Sequence, residues 1–149
     1  MVEPGLFIGS LGAAINLPAL QSAGITHILC VARHLPLKYP SQFVYERLPL
    51  ADVPDARLDD AIPLGVDFIY RAITSGGKVL VHCFVGKSRS ASIVLAYLMT
   101  HRRLSLEESL NLLRSVRPQV HPNRGFLGQL QEYEDKLKQP GLTNATNMT

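Results

Sequence analysis

Residues 79–99 read VLVHCFVGKSRSASIVLAYLM, and the architecture follows from how this stretch is divided. Residues 79–82 form a branched apolar run without alternation, which suits a strand covered on both faces in a parallel sheet. His82 and Cys83 close that run. A short loop with a single glycine, Gly86, follows, and a second apolar run long enough for three helical turns starts at Ser90. A loop that opens directly on a helix N-terminus is suited to anions, because unpaired amides and the helix dipole meet there. Two chemistries compete for it. "GKS" ends a nucleotide-binding loop, whereas Cys83 with Arg89 suggests a thiol nucleophile beside a fixed cation.

The nucleotide reading needs G-x-x-x-x-G-K-[ST], and its first glycine would fall at position 81, which is Val81. A β-branched strand residue cannot supply that turn. The thiol reading uses more of the residues. Residues 84–88, FVGKS, can curl so that their amide hydrogens converge, and the field that holds a phosphate also stabilises a thiolate. Cys83 is therefore expected to be nucleophilic at neutral pH. Arg89 adds a planar fork able to grip two phosphate oxygens.

Outward from this loop, helical and strand patterns alternate. Residues 5–10 (GLFIGS), 25–32 (ITHILCVA) and 43–50 (FVYERLPL) read as further strands. Residues 16–24 read as a helix closed by Gly24. Residues 59–75 carry Ile62, Val66, Ile69 and Ile73 at helical spacing, with Pro63 in the first turn. Ser105 and Glu108 form a capping box for a helix ended by Pro118, and Asn123 can cap a last helix over residues 124–137. The expectation is a single α/β domain with a central, mostly parallel sheet of about five strands and helices on both faces. The phosphate-binding loop then lies between a central strand and a helix, at the carboxyl ends of the strands. Residues 1–138 are expected to be the domain and 139–149 a flexible polar tail, whose Asn144 and Asn147 sequons carry no functional weight.

At 149 residues, with 46% hydrophobic and 18% charged residues, the chain suits one globular domain. No apolar run approaches the roughly 20 residues of a membrane helix, and no secretory signal is seen, so no membrane anchor is expected. The net charge is +3 with scattered basic residues, too weak to argue for nucleic acid. Cys30 and Cys83 are the two cysteines, with no CxxC. No metal or cofactor is expected, and a reducing cytoplasmic setting, with the nucleus as an alternative, follows. Cys30 is read as a core residue.

HCFVGKSRS at positions 82–90 meets the pattern H-C-x-x-G-x-x-R-[ST], the signature of the cysteine-dependent protein tyrosine phosphatase superfamily. From EPGLFIGS to FLGQLQEYEDKL the chain resembles the catalytic domain of a small atypical dual-specificity phosphatase. The resemblance implies hydrolysis of phosphate monoesters through a phosphocysteine. Cys83 is then the nucleophile, Arg89 and the backbone of Phe84, Val85, Gly86, Lys87 and Ser88 hold the phosphate, and Ser90 donates to the Cys83 sulfur. It also implies that His82 and Asn123 brace the loop, His82 pointing away from Cys83 by strand alternation.

A thiolate that attacks a phosphate monoester must expel a poor leaving group, so a carboxylic acid on another loop is required. Asp52, Asp55, Asp59 and Asp60 are candidates. Asp59 and Asp60 begin a helix, where acids suit the dipole, and are read as caps. Asp52 lies just past a strand in the turn-forming ADVPD, and the resemblance of LPLADVPDARL to the family's acid-bearing segment assigns it as the acid, with Asp55 as fallback. By the same resemblance the cleft is shallow and the partner is a phosphorylated protein, on phosphotyrosine and on phosphoserine or phosphothreonine. Lys87 departs from the usual small or apolar residue and keeps phosphoinositides, or another non-protein phosphate monoester, open as an alternative. A pseudophosphatase is disfavoured because the thiol, arginine and acid are all present.

Overall fold

The structure, a computed structural model, describes residues 1–139; apart from Gln139, the expected tail and its sequons lie outside the described residues. Strands β1 (Leu6–Gly9), β2 (His27–Cys30), β3 (Val44–Arg47) and β4 (Val79–His82) form one sheet in the order β1-β4-β2-β3. All neighbouring strands are parallel. The sheet has four strands where about five were expected. They are the four apolar runs legible in the sequence. The connections before and after β3 contain Pro36, Pro40 and Pro54 and stay irregular, as proline withholds an amide from any ladder.

Among the described residues six helices surround the sheet: α1 (Leu11–Ala14), α2 (Leu17–Ala23), α3 (Ala61–Thr74), α4 (Arg89–His101), α5 (Leu106–Val116) and α6 (Arg124–Leu137). Only α1, a single turn, had no sequence signal. Side-chain parity divides the core in two. Leu6, Leu29, Val79 and Val81 face α3–α6, while Ile28 and Leu80, with Phe7 and Tyr45, face α1 and α2. Helix α4 lies at the centre of the thicker layer, with every residue from Ser90 to Met99 buried, which explains its almost uninterrupted apolar sequence.

The expected helix ends are largely found. Gly24 takes a left-handed φ of 75° after α2. Ser105 and Glu108 make both capping-box bonds at α5, an arrangement worth about 1 kcal/mol. The Asn123 carboxamide oxygen accepts from the Phe126 amide at 2.9 Å, capping α6. The acids before α3 behave differently from expectation. Asp60 stands at the N-cap position but makes no capping hydrogen bond, and Asp59 is bound by Arg57 at 2.9 Å instead. Because a bidentate-capable guanidinium lies two residues away, the Asp59 carboxylate satisfies itself locally.

The register aligns Gly9, Cys30 and His82 side by side, with Arg47 next to Cys30. All four strands therefore end at one edge. Residues 10, 31, 48 and 83 begin the loops above it, and Cys83 is among them.

Candidate active site

Residues 83–88 run from the end of β4 onto the first turn of α4. Their conformation is set from outside. The carbonyl of Phe84 accepts from the Leu11 amide at 3.0 Å. Arg117 donates from Nη2 to the Val85 carbonyl and from Nε to the Gly86 carbonyl, both at 2.8 Å. The Lys87 carbonyl accepts from the His121 amide at 2.8 Å. With four successive carbonyls drawn outward, the amides of the loop turn to the opposite side, toward Cys83. Gly86 makes the curl possible: its φ is 76°, and a Cβ there would stand 2.6 Å from the Gly9 carbonyl oxygen.

The Cys83 sulfur sits at the focus, 2% exposed. It lies 3.2 Å from the Ser90 hydroxyl and accepts from the Gly86 amide at 3.2 Å. Burial pushes its pKa up, but the Ser90 hydroxyl and the amides of Ser90, Gly86 and Lys87 together outweigh burial and hold it below the ordinary thiol value. Cys30 contrasts with it. That thiol is also buried and free, and burial raises its pKa, so it stays protonated. The register places Cys30 beside His82.

Arg89, the first residue of α4, is half-buried; its Nη1 donates to the Leu50 carbonyl at 3.3 Å. Its buried Nε finds no acceptor among the described residues. The guanidinium is thus steered on one side and has a donor to spare, as a bidentate oxyanion grip requires. Ser88 is buried, and its hydroxyl accepts from the Asn123 amide at 2.9 Å. The Phe84, Val85 and Lys87 side chains face solvent, the first two 57% and 55% exposed; only their backbone joins the loop's inner surface. His82 is fully buried and shares the parity of Leu80, away from Cys83. Its Nδ1 lies 3.3 Å from the Cys83 carbonyl, which can only accept, and burial lowers its pKa.

Asp52 is carried to this loop by α6. The Asn123 carboxamide nitrogen donates to Asp52 Oδ1 at 3.0 Å, while the same residue's amide binds Ser88 and its oxygen caps the helix. One residue, through its backbone amide and its side chain, thus ties the carboxylate to the thiol loop. Asp55 is exposed and its carboxylate has no hydrogen-bond partner among the described residues. Cys83, Ser88, Arg89 and Ser90 thus share one loop and helix end, to which Asn123 ties Asp52, while among the described residues no hydrogen bond ties the Asp55 carboxylate to it. Sequence reading did not single out Arg117, His121 or Leu11. A long guanidinium just before Pro118 was the one available signal, and its target is set only by the packing of α5.

A collar of inward amides, an arginine at a helix N-terminus and a thiol of lowered pKa can hold a tetrahedral oxyanion against a nucleophile. Comparison with known proteins agrees. The family model described as dual specificity phosphatase, catalytic domain, matches residues 6–136, and the chain belongs to that family. It is 45% identical over 138 residues to dual specificity protein phosphatase 1 of Arabidopsis thaliana, spanning 93% of this chain and 70% of that protein. Dual specificity protein phosphatase 1B of the same plant is 44% identical over 137 residues, 92% of this chain and 82% of that one. The crystal structure of human DUSP28 superposes with a TM-score of 0.88 at 38% identity, covering 93% of this chain and 94% of that chain. The chain is thus a cysteine-dependent phosphatase domain acting on phosphorylated proteins. Relatives named as protein phosphatases do not favour the phosphoinositide reading of Lys87. Among the described residues no helix is long and apolar enough to cross a membrane.

Proposed function

We propose that the chain hydrolyses phosphotyrosine, and phosphoserine or phosphothreonine, in proteins by a two-step displacement at Cys83. The thiolate attacks phosphorus as the P–O bond to the side chain breaks, and Asp52 gives its proton to the departing oxygen. Asp52 then takes a proton from a water that attacks the phosphocysteine, releasing phosphate and the Cys83 sulfur, which Ser90 eases by hydrogen bonding. The loop amides and Arg89 bear the charge of the transferring group. The observation that carries this reading is the sulfur held by the Ser90 hydroxyl and the Gly86 amide at 3.2 Å each. Both cysteines are free thiols, which fits a reducing compartment, cytoplasm or nucleus.

The test is turnover measured side by side on phosphotyrosine peptides, phosphothreonine peptides and phosphoinositides. Both peptides are expected to be hydrolysed, with phosphoinositides slower by tenfold or more (on the order of 1.4 kcal/mol in barrier). Faster phosphoinositide hydrolysis would reverse the substrate assignment.

The sulfur's environment gives a pH prediction. The acidic limb of the kcat/KM profile follows formation of the Cys83 thiolate and is expected below the ordinary thiol value. The Ser90 hydroxyl leads the groups that lower that pKa, so Ser90→Ala should move the limb to higher pH. An unmoved limb in this variant would show that the hydroxyl does not stabilise the thiolate.

A further inference from the structure

We propose that Gln129 is a positioning residue for the general acid, acting as a clasp that sets where the Asp52 loop lies over Cys83. The proposal rests on Asp52 being the acid, as argued above. Residues 48–60 have no regular secondary structure, and 52–55 are exposed, so the carboxylate's place depends on a few points of attachment. Upstream, the Leu50 carbonyl is bound by Arg89. At the acid itself stands Asn123. Downstream the loop returns to α6, and there Gln129 takes hold of it.

The Gln129 side chain is buried, 9% exposed, and spends both ends of its carboxamide on the loop's backbone. Its Nε2 donates to the Ala56 carbonyl at 2.8 Å, and its Oε1 accepts from the Leu58 amide at 2.7 Å. This pair of bonds imitates a strand's ladder where no strand exists. Gly125, one turn earlier on the same face of α6, lets the helix approach further. A Cβ there would stand 2.7 Å from both the carbonyl carbon and the Cα of Pro54. Leu58 is itself buried in the core and Ala56 packs against it, so packing anchors this end of the loop and the carboxamide fixes the direction of its backbone. A cavity of about 280 Å³ lined by Leu58, Ile62, Gln129 and Tyr133, among others, lies against the same junction. Without the carboxamide, the loop has room to shift. A displacement of about 1 Å can cost on the order of 10²-fold in rate.

Gln129→Met keeps length and removes both bonds; Gln129→Glu keeps the acceptor for Leu58 and removes the donor to Ala56. Each is made in the full chain, with thermal melting as a check of folding, and kcat/KM is measured on phenyl phosphate and on dinitrophenyl phosphate. For Gln129→Met the expected loss is about 10- to 10²-fold on phenyl phosphate, whose leaving group needs the proton. On dinitrophenyl phosphate, whose leaving group does not, the loss should stay near threefold or less. Gln129→Glu should fall between Met and wild type, and it carries the comparison if the Met variant does not fold. Adding Gln129→Met to Asp52→Ala should cost little more than Asp52→Ala alone, because the clasp works through that carboxylate. Equal losses on the two substrates, or losses that multiply in the double variant, would overturn the proposal. If Asp52→Ala itself shows no dependence on the leaving group, the acid assignment fails, and that failure is visible in the single variant.

Discussion

Cys83→Ser is expected to abolish phosphatase turnover while the protein still binds phosphate or sulfate. The nucleophile depends on ionisation of the group at the loop's focus. The Ser90 hydroxyl and three amides lower the pKa of a thiol, but a serine hydroxyl starts far too high for the same contacts to ionise it at neutral pH. The anion site survives the change, because it is built from backbone amides and Arg89 and its outward bonds do not involve the sulfur. Calorimetric titration with phosphate, alongside a turnover assay, separates the two effects. Residual hydrolysis above a few per cent of wild type would mean that another group attacks phosphorus.

Asp52→Ala is expected to slow hydrolysis of phosphotyrosine peptides by about 10²- to 10⁴-fold, the usual worth of a positioned acid. The loss should shrink on aryl phosphates with strongly acidic leaving groups. Asn123 donates to Asp52 Oδ1 at 3.0 Å, so removing the carboxylate frees one amide donor at an exposed site and should disturb the fold little. Equal loss on both kinds of substrate would point away from proton donation and toward Asp55 or a folding defect.

Much of this site was legible in the chain before folding because it is local. Cys83, Gly86, Arg89 and Ser90 lie within one strand–loop–helix segment, and the period of apolar residues on either side fixes where the loop begins and ends. Asp52 was a candidate because it follows a strand at the carboxyl edge, where a parallel sheet gathers its loops, but its choice over Asp55 rested on the resemblance of LPLADVPDARL to the family's acid-bearing segment. The inward curl of the loop was legible, but the groups that hold it were not. Leu11 from one distant segment, and Arg117 and His121 from the connection between α5 and α6, hold its carbonyls, and their local sequence does not say which acceptors they meet. The same holds for Asp59 and Asp60. Their placement before a helix favours capping, but Arg57 takes the Asp59 carboxylate, and Asp60 already has helical backbone angles, φ −85° and ψ −33°, where a capping residue is ordinarily extended. About five strands were expected although only four apolar runs were placed on the sequence, and those four are the ones the sheet contains among the described residues.

The outward anchoring of the loop carbonyls links activity to the order in which the chain folds. Leu11 precedes the loop by most of the domain, while Arg117 and His121 follow it, so the anchors close long loops whose entropy is repaid only after α5 and the segment beyond it have docked. The inward amides are therefore expected to be among the last groups to reach their native direction. In the native ensemble they share the opening free energy of that docking rather than that of the central strands. Hydrogen exchange at Gly86 and Lys87 should then follow α5 and not β4. Conditions that loosen the α5 end of the molecule would silence the phosphatase while its sheet remains intact.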